Sequence, residues 1–200
     1  MRRLRRGRAK VNLFKIFLSA FLIDNVVLMR FLALCPFIGM STDEDKSVGM
    51  GLAVTFVTVL ATCVTWPLYK FILEPRLVFL QILVFILVIA SLVQLVEFYL
   101  KKAAPALYGS MGIYLALITT NCAILAVTFD VISNGYTFIE SLVYALGAAL
   151  GVMLSMLLLA GIRGRLKTSP IPPFLKGTPV LFAASALLSI AFMGFQGLVK

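Results

Sequence analysis

Residues 31–39 have the sequence Phe-Leu-Ala-Leu-Cys-Pro-Phe-Ile-Gly, which places a cysteine, a proline and a glycine inside an apolar segment. Pro36 lacks an amide hydrogen and disfavours helical geometry at the residue before it. Gly39 is expected to loosen the turn that follows. The surrounding segment, about residues 14–40, is long enough to cross a bilayer. The pattern therefore predicts a membrane-spanning helix that breaks at Cys35.

A second cysteine lies at a comparable point in the fourth apolar segment, about residues 107–130. It ends the sequence Thr119-Thr120-Asn121-Cys122, whose polar side chains can bond the local backbone instead of the helical ladder. Broken backbone is tolerated at membrane depth only where protein or a cavity satisfies it. Both cysteines are therefore expected to point into a helix bundle.

The composition indicates that the whole chain, and not only these two segments, belongs to a membrane protein. The 200 residues are 62% hydrophobic, and the mean hydropathy is +1.06. A soluble domain is usually about 45–50% apolar. The sequence therefore predicts an all-α integral membrane protein, with a basic tail at 1–13 and one six-helix domain at 14–200. The six predicted spans are about 14–40, 48–73, 77–100, 107–130, 137–162 and 178–199.

The charged connection at 101–106 divides the spans into two groups of three. Because three is odd, a duplicated three-helix unit enters the membrane from the opposite side, as in many transport folds. The expected fold is therefore two inverted repeats, about residues 14–100 and 107–199, with the first and fourth helices broken. The glycine pairs Gly49/Gly51 and Gly147/Gly151 are a weak echo between the halves.

The net charge of +10 comes from 18 Lys and Arg against 8 Asp and Glu, and seven of the 18 lie within residues 1–15. A basic tail beside an apolar segment is typical of contact with anionic lipid or of topology control. No groove-reading or base-stacking element accompanies it, so nucleic acid is not an expected partner. Charges in the loops place both termini outside, whereas the tail places the N-terminus inside, and both orientations stay open.

The chain has three cysteines and no histidine. An odd number of cysteines does not suit a disulfide framework, and any metal would be held by thiolate or oxygen. Two thiolates cannot complete an iron–sulfur site, which needs about four. Either Cys35 and Cys122 share a site with another chain, or they hold no metal and are small buried apolar residues. Cys63 has no helix-breaking neighbour before it and fits the second description.

Ionisable and amide groups inside a span are candidates for function. Asp24 and Arg30 are six residues apart, which is not an i,i+4 spacing, so separate partners are expected, and Arg30 can also extend to the interface. Asn25 and Asn121 are expected to satisfy broken backbone, with ion coordination as the alternative. No nucleotide loop, nucleophile–base set or paired-carboxylate site is visible.

At these residues the chain resembles the A-type membrane subunits of Rnf electron-transport complexes, to which the E-type subunit of the sodium-pumping NADH:quinone reductase is related. The resemblance covers about residues 16–199. Ala33 departs from the family pattern, because many relatives have glycine there. The segments that carry the resemblance are 25–28 (NVVL), 31–39 (FLALCPFIG), 49–53 (GMGLA), 85–90 (FILVIA), 117–123 (LITTNCA) and 191–195 (AFMGF).

The resemblance implies one component of a redox-driven ion translocase in the bacterial inner (cytoplasmic) membrane, which moves electrons between ferredoxin and NAD, coupled to Na⁺ or H⁺ translocation. Cys35 and Cys122 would join two cysteines of a paralogous six-helix subunit of opposite orientation to hold one [2Fe-2S] cluster. Flavin, NAD and further iron–sulfur sites would belong to other Rnf-type subunits, so the chain alone is not expected to be catalytic. Pro36, Gly39, Thr120 and Asn121 would support the cysteines, together with Asp24 and Asn25.

Two other classes of function stay open from the residues themselves. A secondary transporter or ion-conducting subunit without a redox centre would use the broken helices to expose carbonyl groups to a cation, helped by Asp24 or Asn121. A structural membrane scaffold would need neither cysteine for activity or assembly.

Overall fold

The computed structural model describes residues 13–41, 44–73, 81–103, 121–166, 170 and 177–194. All regular secondary structure within these ranges is helical. The helices, numbered in chain order, are α1 Leu13–Ile23, α2 Val26–Arg30, α3 Leu34–Met40, α4 Glu44–Leu68 with a π-helical extension Tyr69–Leu73, α5 Gln81–Ala103, α6 Cys122–Ser133, α7 Phe138–Leu166 and α8 Thr178–Met193.

Three of the described helices are long and apolar enough to cross a membrane, over Ser47–Phe71, Gln81–Phe98 and Phe138–Leu166. The helices α1, α6 and α8 are also apolar but shorter. The chain is therefore a multi-pass membrane protein, as the composition predicted. The basic tail up to residue 12 and most of the predicted fourth span, residues 104–120, lie outside the described residues.

The first predicted span is interrupted twice, and neither interruption is at Pro36. Helix α1 ends at Ile23 in a π-helical turn, and α2 ends at Arg30. Helix α3 begins at Leu34, so Cys35 and Pro36 belong to its first turn. The first amide groups of a helix have no intrahelical partner, so a proline costs little there. The prediction of a break at Cys35–Pro36 is wrong, and Gly39 lies inside α3 rather than loosening it.

The second interruption depends on two left-handed residues. Phe31 has φ 52° and Ala33 has φ 59°, a region that costs an L-residue roughly 1–2 kcal/mol. Glycine is the residue that adopts this conformation without steric cost, so its absence at position 33 is a local strain. The chain leaves its helical path here and sets α3 at a new angle from α2.

The long helices α4 and α7 pack against each other at the centre of the molecule. Their contact buries apolar side chains of both helices, among them Met50, Val54, Ala148 and Val152. Four threonines of α4 (Thr55, Thr58, Thr62 and Thr65) each donate to the carbonyl four residues earlier. These polar side chains are therefore satisfied within the helix and do not need a partner at membrane depth.

Helix α1 lies against α7 at a stripe of small residues. A Cβ added at Gly147 would stand 2.9 Å from the carbonyl oxygen of Phe17, and one at Gly151 would stand 2.8 Å from that of Phe21. Glycines four residues apart are a recurring means of bringing membrane helices close together. The Gly147/Gly151 pair therefore determines how closely the first span approaches the centre.

The other elements have visible local causes. Helix α5 buries Phe85, Ile89 and Val93, spaced four residues apart, and exposes apolar residues on its other faces, as expected of a helix at the lipid boundary. Helix α7 begins with a capping box in which the Glu140 carboxylate accepts from the Thr137 amide at 3.0 Å.

We expect two substitutions at Ala33 to differ sharply. Ala33→Gly should change the free energy of unfolding by less than about 1 kcal/mol, because relief of left-handed strain offsets the added chain entropy. Ala33→Val should destabilise by about 2–3 kcal/mol, since a β-branched residue fits this conformation poorly. Unfolding in detergent micelles measures both, with Ala191→Val at an exposed position of α8 as the control. Equal effects of the two changes at Ala33 would contradict the assignment.

Candidate functional site

Asn25 connects the first interruption to the centre of the molecule. Its side chain is fully buried. Its Oδ1 caps α2 by accepting from the amide of Val27 at 3.1 Å, with Leu28 at 3.5 Å. Its Nδ2 donates to the carbonyl oxygen of Gly151 at 2.9 Å and to Ser155 Oγ at 2.7 Å. Both ends of one amide therefore hold the broken helix against α7.

Asn121 has the same capping role at the start of α6. Its backbone is extended, with φ −74° and ψ 111°, and its Oδ1 accepts from the amide of Ala123 at 3.0 Å. The prediction that Asn25 satisfies broken backbone is confirmed, and Asn121 satisfies the backbone at the start of α6 in the same way. Thr119 and Thr120, the other polar residues of this motif, lie outside the described residues.

The two cysteines occupy related positions, each in the first turn of a helix. Cys35 is the second residue of α3, and Cys122 is the first residue of α6. Both thiols are exposed on the surface of the chain. The expectation that they point into the helix bundle is wrong, because the backbone at the start of each helix directs its cysteine to the surface. The Asn121 side chain caps α6, whereas α3 begins after the left-handed Ala33 without a side-chain cap. Helix α2, which precedes Cys35, packs against α6.

The remaining predicted residues lie around this region. Pro36 is buried and Gly39 is exposed. Cys63 is half-buried within α4, which agrees with its description as an apolar packing residue. The described residues contain no cluster of three or more His, Cys, Asp or Glu side chains that could hold a metal. A metal centre held by Cys35 and Cys122 would therefore need further ligands from outside these residues.

A second polar cluster joins α2 to α6. Arg30 Nη1 donates to both carboxylate oxygens of Asp130 at 2.8 Å, and Tyr144 Oη donates to the same carboxylate at 3.2 Å. Asp24 instead accepts from Ser19 Oγ at 3.1 Å. The prediction that Asp24 and Arg30 have separate partners is confirmed.

The turn between α6 and α7 closes this cluster. Burial raises the pKa of the Tyr136 phenol, and the charges of Asp24, Glu140 and Asp130 raise it further. The Tyr136 carbonyl accepts from Trp66 Nε1 at 3.0 Å, which fixes the turn against α4.

Comparison with known proteins identifies the family of the chain. The sequence profile of the family described as "Rnf-Nqr subunit, membrane protein" matches residues 13–199, nearly the whole chain. The chain belongs to the Rnf-Nqr family. The family resemblance predicted from the cysteine motifs is confirmed.

Curated relatives within the Rnf-Nqr family are similar over almost their full length. The A-type subunit of the ion-translocating oxidoreductase complex of Syntrophotalea carbinolica is 50% identical over 189 residues, which cover 94% of this chain and 98% of that protein. The A-type subunit of the Na(+)-translocating ferredoxin:NAD(+) oxidoreductase complex of Acetobacterium woodii is 49% identical over the same shares. The corresponding subunit of an Azoarcus species is 49% identical over 184 residues, which cover 92% of this chain and 95% of that protein.

Several residues of this Rnf-Nqr site had not been predicted from the sequence. Ser189 Oγ donates to the Leu28 carbonyl at 2.6 Å, and Arg163 donates to the Ile38 carbonyl at 3.2 Å. Asp130 and Ser155 also pair with residues at least a hundred positions away. Sequence periodicity carries no signal for such contacts. The one available clue was Asp130 itself, a carboxylate at the end of an apolar segment.

We expect Asn25→Ala to lower the free energy of unfolding by about 2–4 kcal/mol. It removes a helix cap and leaves the buried amides of Val27 and Leu28 without an acceptor. Asn134→Ala is the control, because Asn134 is exposed and donates only to the Asp130 carbonyl through its side chain. The control should cost less than about 0.5 kcal/mol. Similar losses in the two variants, measured by unfolding in micelles, would contradict the role given to Asn25.

A double-mutant cycle tests the ion pair. Arg30→Met, Asp130→Asn and their combination should give a coupling energy of about 0.5–1 kcal/mol, since the Arg30 side chain is 49% exposed and partly screened. Tyr144→Phe is the matched control, because it removes the hydroxyl that donates to Asp130 but leaves the Arg30–Asp130 contact in place. A coupling energy of zero would show that the pair does not contribute to stability.

Proposed function

We propose that this chain is an electron-transfer subunit of an ion-translocating ferredoxin:NAD oxidoreductase of the Rnf type. It would sit in the bacterial inner membrane and carry electrons through an iron–sulfur centre shared with a paralogous subunit, coupled to Na⁺ or H⁺ translocation. The observation that carries the proposal is the exposed placement of Cys35 and Cys122, each in the first turn of a helix, with the helix of Cys35 following the interruption at residues 31–33. Membership of the Rnf-Nqr family and the names of its relatives support it.

The donor set fits half of a [2Fe-2S] site. Such a cluster takes about four thiolates, and this chain offers two exposed ones. Exposed thiols on a membrane protein can be completed by cysteines of a second chain, whereas buried thiols could not. The cluster, when bound, supplies one-electron transfer within the low-dielectric layer. Cys35 and Cys122 would hold it, and the peptide dipoles at the start of α6 would favour its negative charge.

The inverted-repeat architecture belongs to the same proposal. Helix α1 of the first half packs against α7 of the second, and α6 of the second half packs against α4 of the first. In both long helices a hydroxyl donates to the carbonyl of a glycine four residues earlier, Thr55 to Gly51 at 2.7 Å and Ser155 to Gly151 at 2.9 Å. This reciprocity supports two three-helix repeats of opposite orientation, and hence six spans.

Electron transfer is favoured over cation conduction because the asparagine oxygens already cap helices, which leaves fewer lone pairs for a cation. A cation site at the interrupted helices would need free carbonyl or carboxamide oxygen ligands. The Oδ1 atoms of Asn25 and Asn121 already accept from backbone amides. The sites for flavin, NAD and further iron–sulfur clusters are assigned to other subunits, so this chain by itself would not be catalytic.

Cysteine substitution tests the proposal. Purified from cells that co-express the paralogous subunit, Cys35→Ser and Cys122→Ser should each lose most of the bound iron and the EPR signal of a reduced [2Fe-2S] centre. Cys63→Ser is the matched control and should retain both, because Cys63 lies within α4 away from the interruptions. Full iron occupancy in both test variants would rule out the ligand role. Ion flux by the chain alone, without iron, would favour the transporter function.

A further inference from the structure

The Nδ2 atom of Asn121 is a buried donor without an acceptor. The residue is 5% exposed, and within the described ranges this nitrogen makes no hydrogen bond. The orientation of the amide is fixed, because the other end accepts from the backbone amide of Ala123. A buried donor left unpaired costs free energy and calls for an explanation.

Asn25 is a capping asparagine of the same fold whose side-chain amide has hydrogen-bond partners at both ends. Its Oδ1 caps a helix as that of Asn121 does, while its Nδ2 has two acceptors, the Gly151 carbonyl and Ser155 Oγ. The two capping asparagines therefore differ at the nitrogen end. Asn121 is also the immediate chain neighbour of Cys122, the exposed cysteine that begins α6.

We propose that Asn121 Nδ2 donates a hydrogen bond to the thiolate of its chain neighbour Cys122 when that sulfur binds the iron–sulfur centre. This inference rests on the proposed function. An amide N–H cannot bind a cation, so the missing group is an electron-rich acceptor. Sulfur bound to iron is such an acceptor, and the adjacent cysteine would bring it to this amide.

The proposed hydrogen bond would let one of the two capping asparagines, Asn121, influence the reduction potential of the centre. Hydrogen bonds to cluster sulfurs help to set the reduction potential, because they stabilise the more negative, reduced form. The amide of Asn25 cannot act in this way toward Cys35, since both of its ends are engaged within the chain. Asn121 is accordingly a positioning and tuning residue rather than a ligand.

Pulsed EPR on the complex with the paralogous subunit tests the inference. The protein is labelled with ¹⁵N at asparagine side chains, and the reduced centre is examined for a ¹⁵N coupling. We expect a coupling in the wild type that disappears in Asn121→Asp and Asn121→Ser, both of which keep an oxygen to cap α6. Asn121→Ser should also shift the reduction potential downward. Asn134→Ser, the same change at the exposed end of α6, should leave coupling, potential and iron content unchanged.

The outcomes separate this inference from the function on which it rests. If iron-loaded wild type shows no ¹⁵N coupling, or if the coupling persists in Asn121→Asp, the proposed hydrogen bond is wrong. The proposed iron–sulfur function is unaffected by either result. An unchanged potential in Asn121→Ser overturns the hydrogen bond as well. Loss of iron from both Asn121 variants also contradicts it, because a tuning donor is not a ligand. Absence of iron from the wild type would instead refute the proposed function.

Discussion

The side-chain amide of Asn25 is the contact on which the interrupted first span depends. A membrane helix that stops and restarts leaves amide and carbonyl groups unpaired where no water can reach them. Asn25 satisfies the first amides of α2 with its oxygen and reaches Gly151 and Ser155 with its nitrogen. One residue therefore removes much of the cost of the break and fixes the broken segment against the central helix α7.

The glycine pair of α7 makes this contact sterically feasible. Gly147 and Gly151 leave no side chain between α7 and the backbone of α1, so the Asn25 amide comes within hydrogen-bond distance of the Gly151 carbonyl. Farther along, the left-handed residues Phe31 and Ala33 redirect the chain into α3. Close helix packing, an amide bridge and a strained turn together place Cys35 in the first turn of a short helix at the surface.

The exposure of Cys35 and Cys122 makes their thiols accessible to a second chain. Thiols directed into the bundle would have been out of reach of ligands from another chain. Thiols on its surface instead suit one side of a shared site, which agrees with a family whose named relatives are subunits of larger complexes. Beside Cys122, the side-chain nitrogen of Asn121 is buried without a hydrogen-bond partner among the described residues.

Some features followed from local chemistry and others did not. Proline at position 36 suggested a break at Cys35, but proline is also well tolerated in the first turn of a helix. Only the backbone angles of residues 31–33 distinguish the two cases. Likewise, Asp24 and Arg30 could be assigned separate partners from their spacing, whereas the identity of Asp130 as the partner of Arg30 required the packing of α2 on α6.

The amino-acid sequence by itself determined the membrane environment of this protein, its helical class, its family and the two asparagine caps, because apolar length and capping chemistry are properties of consecutive residues. Tertiary structure alone decided the place of the break, the outward direction of Cys35 and Cys122, and the partners of Asn25 and Arg30. The break and the direction of the cysteines depend on the backbone angles of residues for which several conformations are accessible. The partners of Asn25 and Arg30 lie a hundred or more positions away, and no periodicity in a single chain records which helices will meet.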